Sequence, residues 1–380
     1  MSLSLSRAEY GKMPDGDTVY EYTLTNANRL TVKLITRGCT LTSVLVPSAI
    51  SAASTAASST ATSTLADVVL GFPDLPSWLE HGNNFNTIVG RYANRIKNGR
   101  FTLDGQSYQL ATNNGPNHLH GGPTGFYSKN WKEVKQITES DRVGVVLTYT
   151  SEDGEEGYPG RLVVQATFTL TNSNALQMAF EAEVFDKPTI VNICNHAYWN
   201  LSGDYNDSIL AHRLYLNAQH NTPVDDGMIP TGVIQPTKGT HHDFSELTPI
   251  GQRIETFKSV DPGCNGGYDH NYVLSNPSTS TATHPAAAGQ VHAATLLYDG
   301  SGRRMDVYTT APAIQVYTGN FLTGSMTGKE GKPYQKHAGV CMETQVHPNS
   351  PNQEGFPSCV LRPGEKYSHV VTHVFSTVDK

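Results

Sequence analysis

The sequence contains no apolar run approaching the about 18 residues that a membrane-spanning helix needs. Residues 1–12 are polar where a secretory leader would carry an apolar core. A membrane partner and an export route are therefore not expected, and the cytosol is the expected compartment. Cysteine is scarce: Cys39, Cys194, Cys264, Cys341 and Cys359 are odd in number, widely spaced and form no CxxC pair. That pattern argues against a disulfide framework and makes buried thiols the expected state. Charge is scarce too, at 16% of residues, and a net charge of −7 leaves no positive field to neutralise phosphates. Nucleic acid is accordingly excluded as the main partner. Long helical periodicities are missing, which argues against an all-helical or coiled-coil protein.

What the chain has instead is turn chemistry, with 34 Gly and 21 Pro among 380 residues, a composition suited to many short strands. In residues 176–184, Leu176, Met178, Phe180, Ala182 and Val184 alternate with Gln177, Ala179, Glu181 and Glu183. That period of two puts one face in a core and the other near water. Residues 162–170 form another β-rich run, and Thr171-Asn-Ser-Asn174 between the two predicts an antiparallel pair. A second hairpin is predicted over 100–110 about the turn Asp104-Gly105, and residues 30–34, 145–149, 305–309 and 367–375 add further strands. The fold class predicted is a large antiparallel all-β sandwich. Residues 48–64, nearly all Ser, Ala or Thr, and the Ser/Thr/Ala/Pro tract 277–294 read as exposed loops, the second as a hairpin insertion after Tyr272-Val-Leu274. Strand signals flank both tracts, so 1–380 is expected to be a single domain.

Polar residues of acid, base and amide type bunch in four places: Gly90-Arg-Tyr-Ala-Asn-Arg-Ile96, Asn117-His-Leu-His-Gly-Gly122, Asn192-Ile-Cys-Asn-His-Ala-Tyr-Trp-Asn-Leu201 and Cys341-Met-Glu-Thr-Gln345. Tyr268-Asp-His-Asn271 and Gln315-Val-Tyr-Thr-Gly-Asn320 lie between the last two. His118 and His120, as an H-x-H pair on a strand, would point to one face at a metal-binding spacing. A third ligand is missing: Thr124 and Gly125 stand where cupin-type sites place a Glu, and His241-His242, if extended, point to opposite faces. No metal is expected. In the third bunch, Trp199 beside several amides offers an aromatic face with hydrogen-bonding edges, which suits a sugar ring. Taken singly, Glu343 reads as a rim carboxylate, Asp269 as a turn former, and Arg91 and Arg95 as surface charges.

Together and in this order, these bunches, with Pro223-Val-Asp-Asp-Gly-Met-Ile-Pro-Thr-Gly232, resemble the aldose 1-epimerase family, the galactose mutarotases. The resemblance runs from about residue 17 to the C-terminus. It implies a β-supersandwich with few short helices and a cofactor-free isomerase that interconverts the α and β anomers of free hexoses such as galactose and glucose. It also implies His196 as general acid at the ring oxygen, Glu343 as general base at the anomeric hydroxyl, and His120 as a further ring-oxygen or hydroxyl partner. Asn94, Arg95, Asp269 and Gln315 are implied as sugar-hydroxyl contacts, with Tyr198 closing the pocket. The expected partner is a small-molecule sugar, with neither nucleic acid nor membrane, and the chain is expected to act as a monomer or weak homodimer. Ala197 departs from the Ser or Thr common in the family, and the two low-complexity tracts look like insertions.

The chemistry needs an acid and a base on one small molecule, because ring opening removes the anomeric proton while protonating the ring oxygen. On charge alone, His196 and Glu343 are expected to titrate as a pair, each favouring the charged form of the other. The competing readings are a non-catalytic sugar sensor on the same fold, which would need no acid–base pair, and a polysaccharide hydrolase or lyase, which would need a long open groove.

Overall fold

A computed structural model describes residues 2–49, 64–275 and 284–378. Most of the tract 48–64 lies outside the described residues, as does the start of 277–294. The second tract ends earlier than predicted, because Val291–Tyr298 is already a strand.

Every strand pair among the described residues is antiparallel, and three sheets carry most of them. The largest has nine strands and contains the predicted hairpin, with Leu162–Thr171 paired to Ala175–Val184 from Leu162↔Val184 to Leu170↔Leu176. The alternation there is as predicted: Leu176, Met178, Phe180, Ala182 and Val184 are buried in the main core, while Glu181 is exposed. The predicted Asp104-Gly105 hairpin joins Arg100–Leu103 to Gln106–Gln109, with φ of 50° and 81° at the two turn residues, the left-handed pair that a two-residue turn requires. Only two short α-helices occur among the described residues, Leu75–His81 and Phe257–Val260, and no helix is long and apolar enough to cross a membrane.

A five-stranded sheet begins at Ser4–Lys12, a strand that the sequence did not signal because it runs at a sheet edge with both faces largely exposed. The six-stranded sheet positions the site. Its order runs Tyr198–Trp199, Val340–Gln345, Ala313–Tyr317, Asp269–Leu274, Ala218–Thr222, Gln235–Pro236. Register aligns Asn271, Gln315 and Glu343 across three adjacent strands, and Asp269, Tyr317 and Cys341 one step along on the same face. The opposite face carries Tyr272, Ile314, Val316, Val340 and Met342 into the main hydrophobic core. All five cysteines are free and buried.

Candidate active site

The period of two along Val340–Gln345 decides where Glu343 points: away from Met342 and the core, onto the polar face of the sheet. It is 2% exposed, so the rim position expected of an isolated Glu does not hold. His196 approaches from the two-strand crossing Cys194–Asn195 and Tyr198–Trp199. Its amide donates to the Thr87 carbonyl at 2.9 Å, and its carbonyl accepts from the Asn86 amide at 3.0 Å. The ring is thereby held with Nε2 3.5 Å from Glu343 Oε1, while Nδ1 is buried with no hydrogen-bond partner among the described residues.

His120 completes a triad of groups, its ring centroid 5.0 Å from that of His196 at 80°. It does not share a strand face with His118, as the H-x-H reading supposed. The strand ends at Leu119, and His120 turns to φ 52°. His118 instead lies 2.6 Å from the Tyr158 hydroxyl and 2.7 Å from the Ala111 carbonyl, away from His196. The next residue must be glycine, because a Cβ on Gly121, at φ 85°, would sit 1.8 Å from the Gly90 carbonyl oxygen. Asn94, also left-handed at φ 63°, donates its amide to His120 Nδ1 at 3.2 Å, so His120 presents Nε2 as its protonated nitrogen. The H-x-H pair is not completed; tertiary structure gathers a different set, in which one ligand atom each of His120, His196 and Glu343 lie within 4.8 Å of one another.

Arg95 is buried, not a surface charge, with its guanidinium 3.8 Å from Asp269 Oδ2 and its Nε donating to Asn114 Oδ1 at 3.0 Å. Arg91 is equally buried but structural, donating to the carbonyls of Pro159 and Gly160 at 2.8 Å. Gln315 donates to Asp269 Oδ1 at 2.7 Å; it stands behind Asp269 and is not among the side chains lining the cleft. Trp199 is placed differently from its predicted role. Strand alternation turns it to the core against His373 and Phe375, and the aromatic wall of the cleft comes from Tyr198, Tyr317 and Phe321. Tyr198 is itself stacked on Phe85 at 4.0 Å. Asn83, Asn84 and Asn114 also line the cleft, on loops that carry no motif.

The cleft encloses about 250 Å³ and gathers Asn94, Arg95, His120, His196, Tyr198, Asp269 and Glu343. That is below the roughly 300–1,000 Å³ of sites for drug-sized ligands and fits one ring, not a polymer. A larger hollow of about 400 Å³ lies beside Val163, Glu181 and Lys366, but no histidine lines it. Burial raises the Glu343 carboxyl above its usual range, and nearby Asp269 adds to this, against the lowering effect of His196. Mutual attraction, the effect weighed from sequence, is therefore not the dominant one. Burial, with the neighbouring His196 ring and the Arg95 guanidinium, holds His120 well below the usual histidine value, so it is neutral near pH 7. Cys194 Sγ lies 3.6 Å from Glu343 Oε2, a floor contact that no motif announced.

An antiparallel supersandwich with a buried imidazole–carboxylate pair at the floor of a single-ring cleft defines a galactose mutarotase-like acid–base isomerase fold. The chain belongs to the aldose 1-epimerase family, whose model matches residues 20–373. It is 40% identical to the galactose mutarotase of Sus scrofa over 98% of this chain and 99% of that one. It is 34% identical to the aldose 1-epimerase of Escherichia coli over 95% and 96% of the two chains. Among solved structures, the galactose 1-epimerase of Lactobacillus acidophilus superposes with a TM-score of 0.80 at 28% identity, covering 99% of each chain.

Proposed function

We propose that this chain is a mutarotase that interconverts the α and β anomers of free hexoses such as galactose and glucose, with His196 as acid and Glu343 as base. The observation that carries the reading is the 3.5 Å approach of His196 Nε2 to Glu343 Oε1 on the floor of the cleft. The ring oxygen and the anomeric hydroxyl are both bonded to C1, so the groups that serve them must face one small cleft, and His196 and Glu343 both line this one. Glu343 takes the hydroxyl proton as His196 donates to the ring oxygen. The C1–C2 bond then rotates, and closure on the other face of the carbonyl returns both protons. Each turnover leaves the two groups as it found them.

Burial of Glu343 makes it a stronger base than an exposed carboxylate, and the neutral His120 supports the ring oxygen without adding charge. Asp269, held by Gln315 and Arg95, and Asn94 serve as the clamp that keeps the remaining hydroxyls in place during rotation. Galactose and glucose are the sugars named by the family resemblance, and the cytoplasm is the compartment that suits five free, buried thiols.

Polarimetry on freshly dissolved α-D-galactose and α-D-glucose tests this reading. The chain should accelerate the decay of optical rotation, and His196→Asn should slow that acceleration by at least about 10²-fold. Sugar binding with no acceleration would leave the sensor reading standing instead, and cleavage of a polymer would replace both.

A further inference from the structure

A second cluster of metal-ligating side chains lies on the far side of the strand that carries Asp269. His241 and His242, read from sequence as pointing apart, sit in a turn that brings their rings together, with centroids 4.3 Å apart. The turn is pinned twice: the His242 amide donates to Thr240 Oγ1 at 3.1 Å, and the Tyr268 hydroxyl donates to the His241 carbonyl at 3.0 Å. Asp261 faces the pair, and one ligand atom from each of the three residues lies within 4.8 Å of the others.

The surrounding groups orient these ligands. His242 Nδ1 is 3.1 Å from the Tyr272 hydroxyl, which leaves Nε2 as the nitrogen free to bind. His270 Nδ1 accepts the Asp269 amide proton at 3.1 Å, so its proton is on Nε2, 3.3 Å from Asp261 Oδ2. Hydrogen bonds from outside partners that fix a ligand's orientation are what metal-binding imidazoles and carboxylates ordinarily have. No hydrogen bond reaches the ring nitrogens of His241 among the described residues.

We propose that His241, His242 and Asp261 form a zinc site that braces the loop behind Asp269, separate from the sugar cleft. Two imidazoles and a carboxylate suit Zn²⁺ better than the oxygen-seeking Mg²⁺ or Ca²⁺. Tetrahedral bonds of about 2.0–2.1 Å put ligand atoms roughly 3.3 Å apart, so small rotations of partly exposed His241 and Asp261 close the site, with water as the fourth ligand. The inference does not depend on the mutarotase reading.

Chelator-stripped chain is titrated with Zn²⁺ alone by calorimetry, and with Co²⁺ for its visible absorption. One ion per chain, a raised Tm, and a loss of affinity of at least about 10-fold in His241→Ala and in Asp261→Asn are expected. Sugar turnover should persist in the metal-free wild type and in both variants. Anomalous scattering from a zinc-soaked crystal locates the ion without relying on any variant. No stoichiometric binding, binding unchanged in both variants, or an ion that galactose displaces from His120, His196 and Glu343 would overturn the proposal.

Discussion

Met342 and Glu343 are neighbours in one strand and are buried to the same degree, 3% and 2% exposed, yet they belong to different environments. Met342 packs with Val316, Ile314 and Tyr272 in the main core, where burial removes apolar surface from water. Glu343 faces Gln315 and Asn271 in register, on a side of the same sheet where Gln315 Oε1, Asn271 Oδ1, Gln345 Nε2 and His196 Nδ1 are all buried and without partners among the described residues. Unpaired buried polar atoms cost stability, and of these four residues His196 lines the cleft, where a hydroxyl-rich ligand would meet it. Burial alone does not separate core from site. The face of the sheet that a side chain takes does.

Substitution of the two neighbours should break function and stability separately. Glu343→Gln keeps the shape and removes the proton acceptor, so polarimetric turnover should fall on the order of 10²–10⁴-fold with the protein still folded. Turnover near wild type would remove Glu343 from its role. Met342→Ala should do the reverse, costing about 2–5 kcal/mol in urea unfolding while turnover per folded molecule stays near wild type. A collapse of turnover in that variant, matching Glu343→Gln, would mean that the two faces are not independent.

The same distinction explains how much could be read from the sequence. Strands that contrast a dry face with a wet one, such as Ala175–Val184, announce themselves by alternation, and the Asp104-Gly105 turn does so by residue type. Val340–Gln345 is buried on both faces, so its composition could not say which side was core; only pairing with Ala313–Tyr317 resolves it. Trp199 was misplaced for the same reason, since a two-residue strand has too little pattern to orient it. Asn83, Asn84 and Phe321 reach the cleft from loops, and no periodicity records that. His241 and His242 would point apart on an extended backbone, but the backbone there turns. Residues tied to a multi-residue motif, His196 and Glu343 among them, were legible because their order along the chain is itself a signal.

The smallest expected effect concerns the cost of keeping Glu343 buried, and it ties the two faces together. Its folded carboxyl holds a proton more tightly than the unfolded one, because burial disfavours the charged form. The group's contribution to stability is therefore fully present below the unfolded value of about 4.3 and is lost as pH rises through the raised folded value. Glutamine is neutral throughout, so the Tm of Glu343→Gln should match wild type near pH 4 and exceed it slightly at pH 7. The wild-type kcat/KM of the free enzyme depends on the same ionisation with the opposite sign, falling as pH drops through that value because the base is lost. The pH at which the Tm difference stops widening and the pH below which kcat/KM falls both report the folded carboxyl and should therefore coincide. Two separate inflections would show that the group limiting catalysis on the acid side is not the one that the fold is strained to hold.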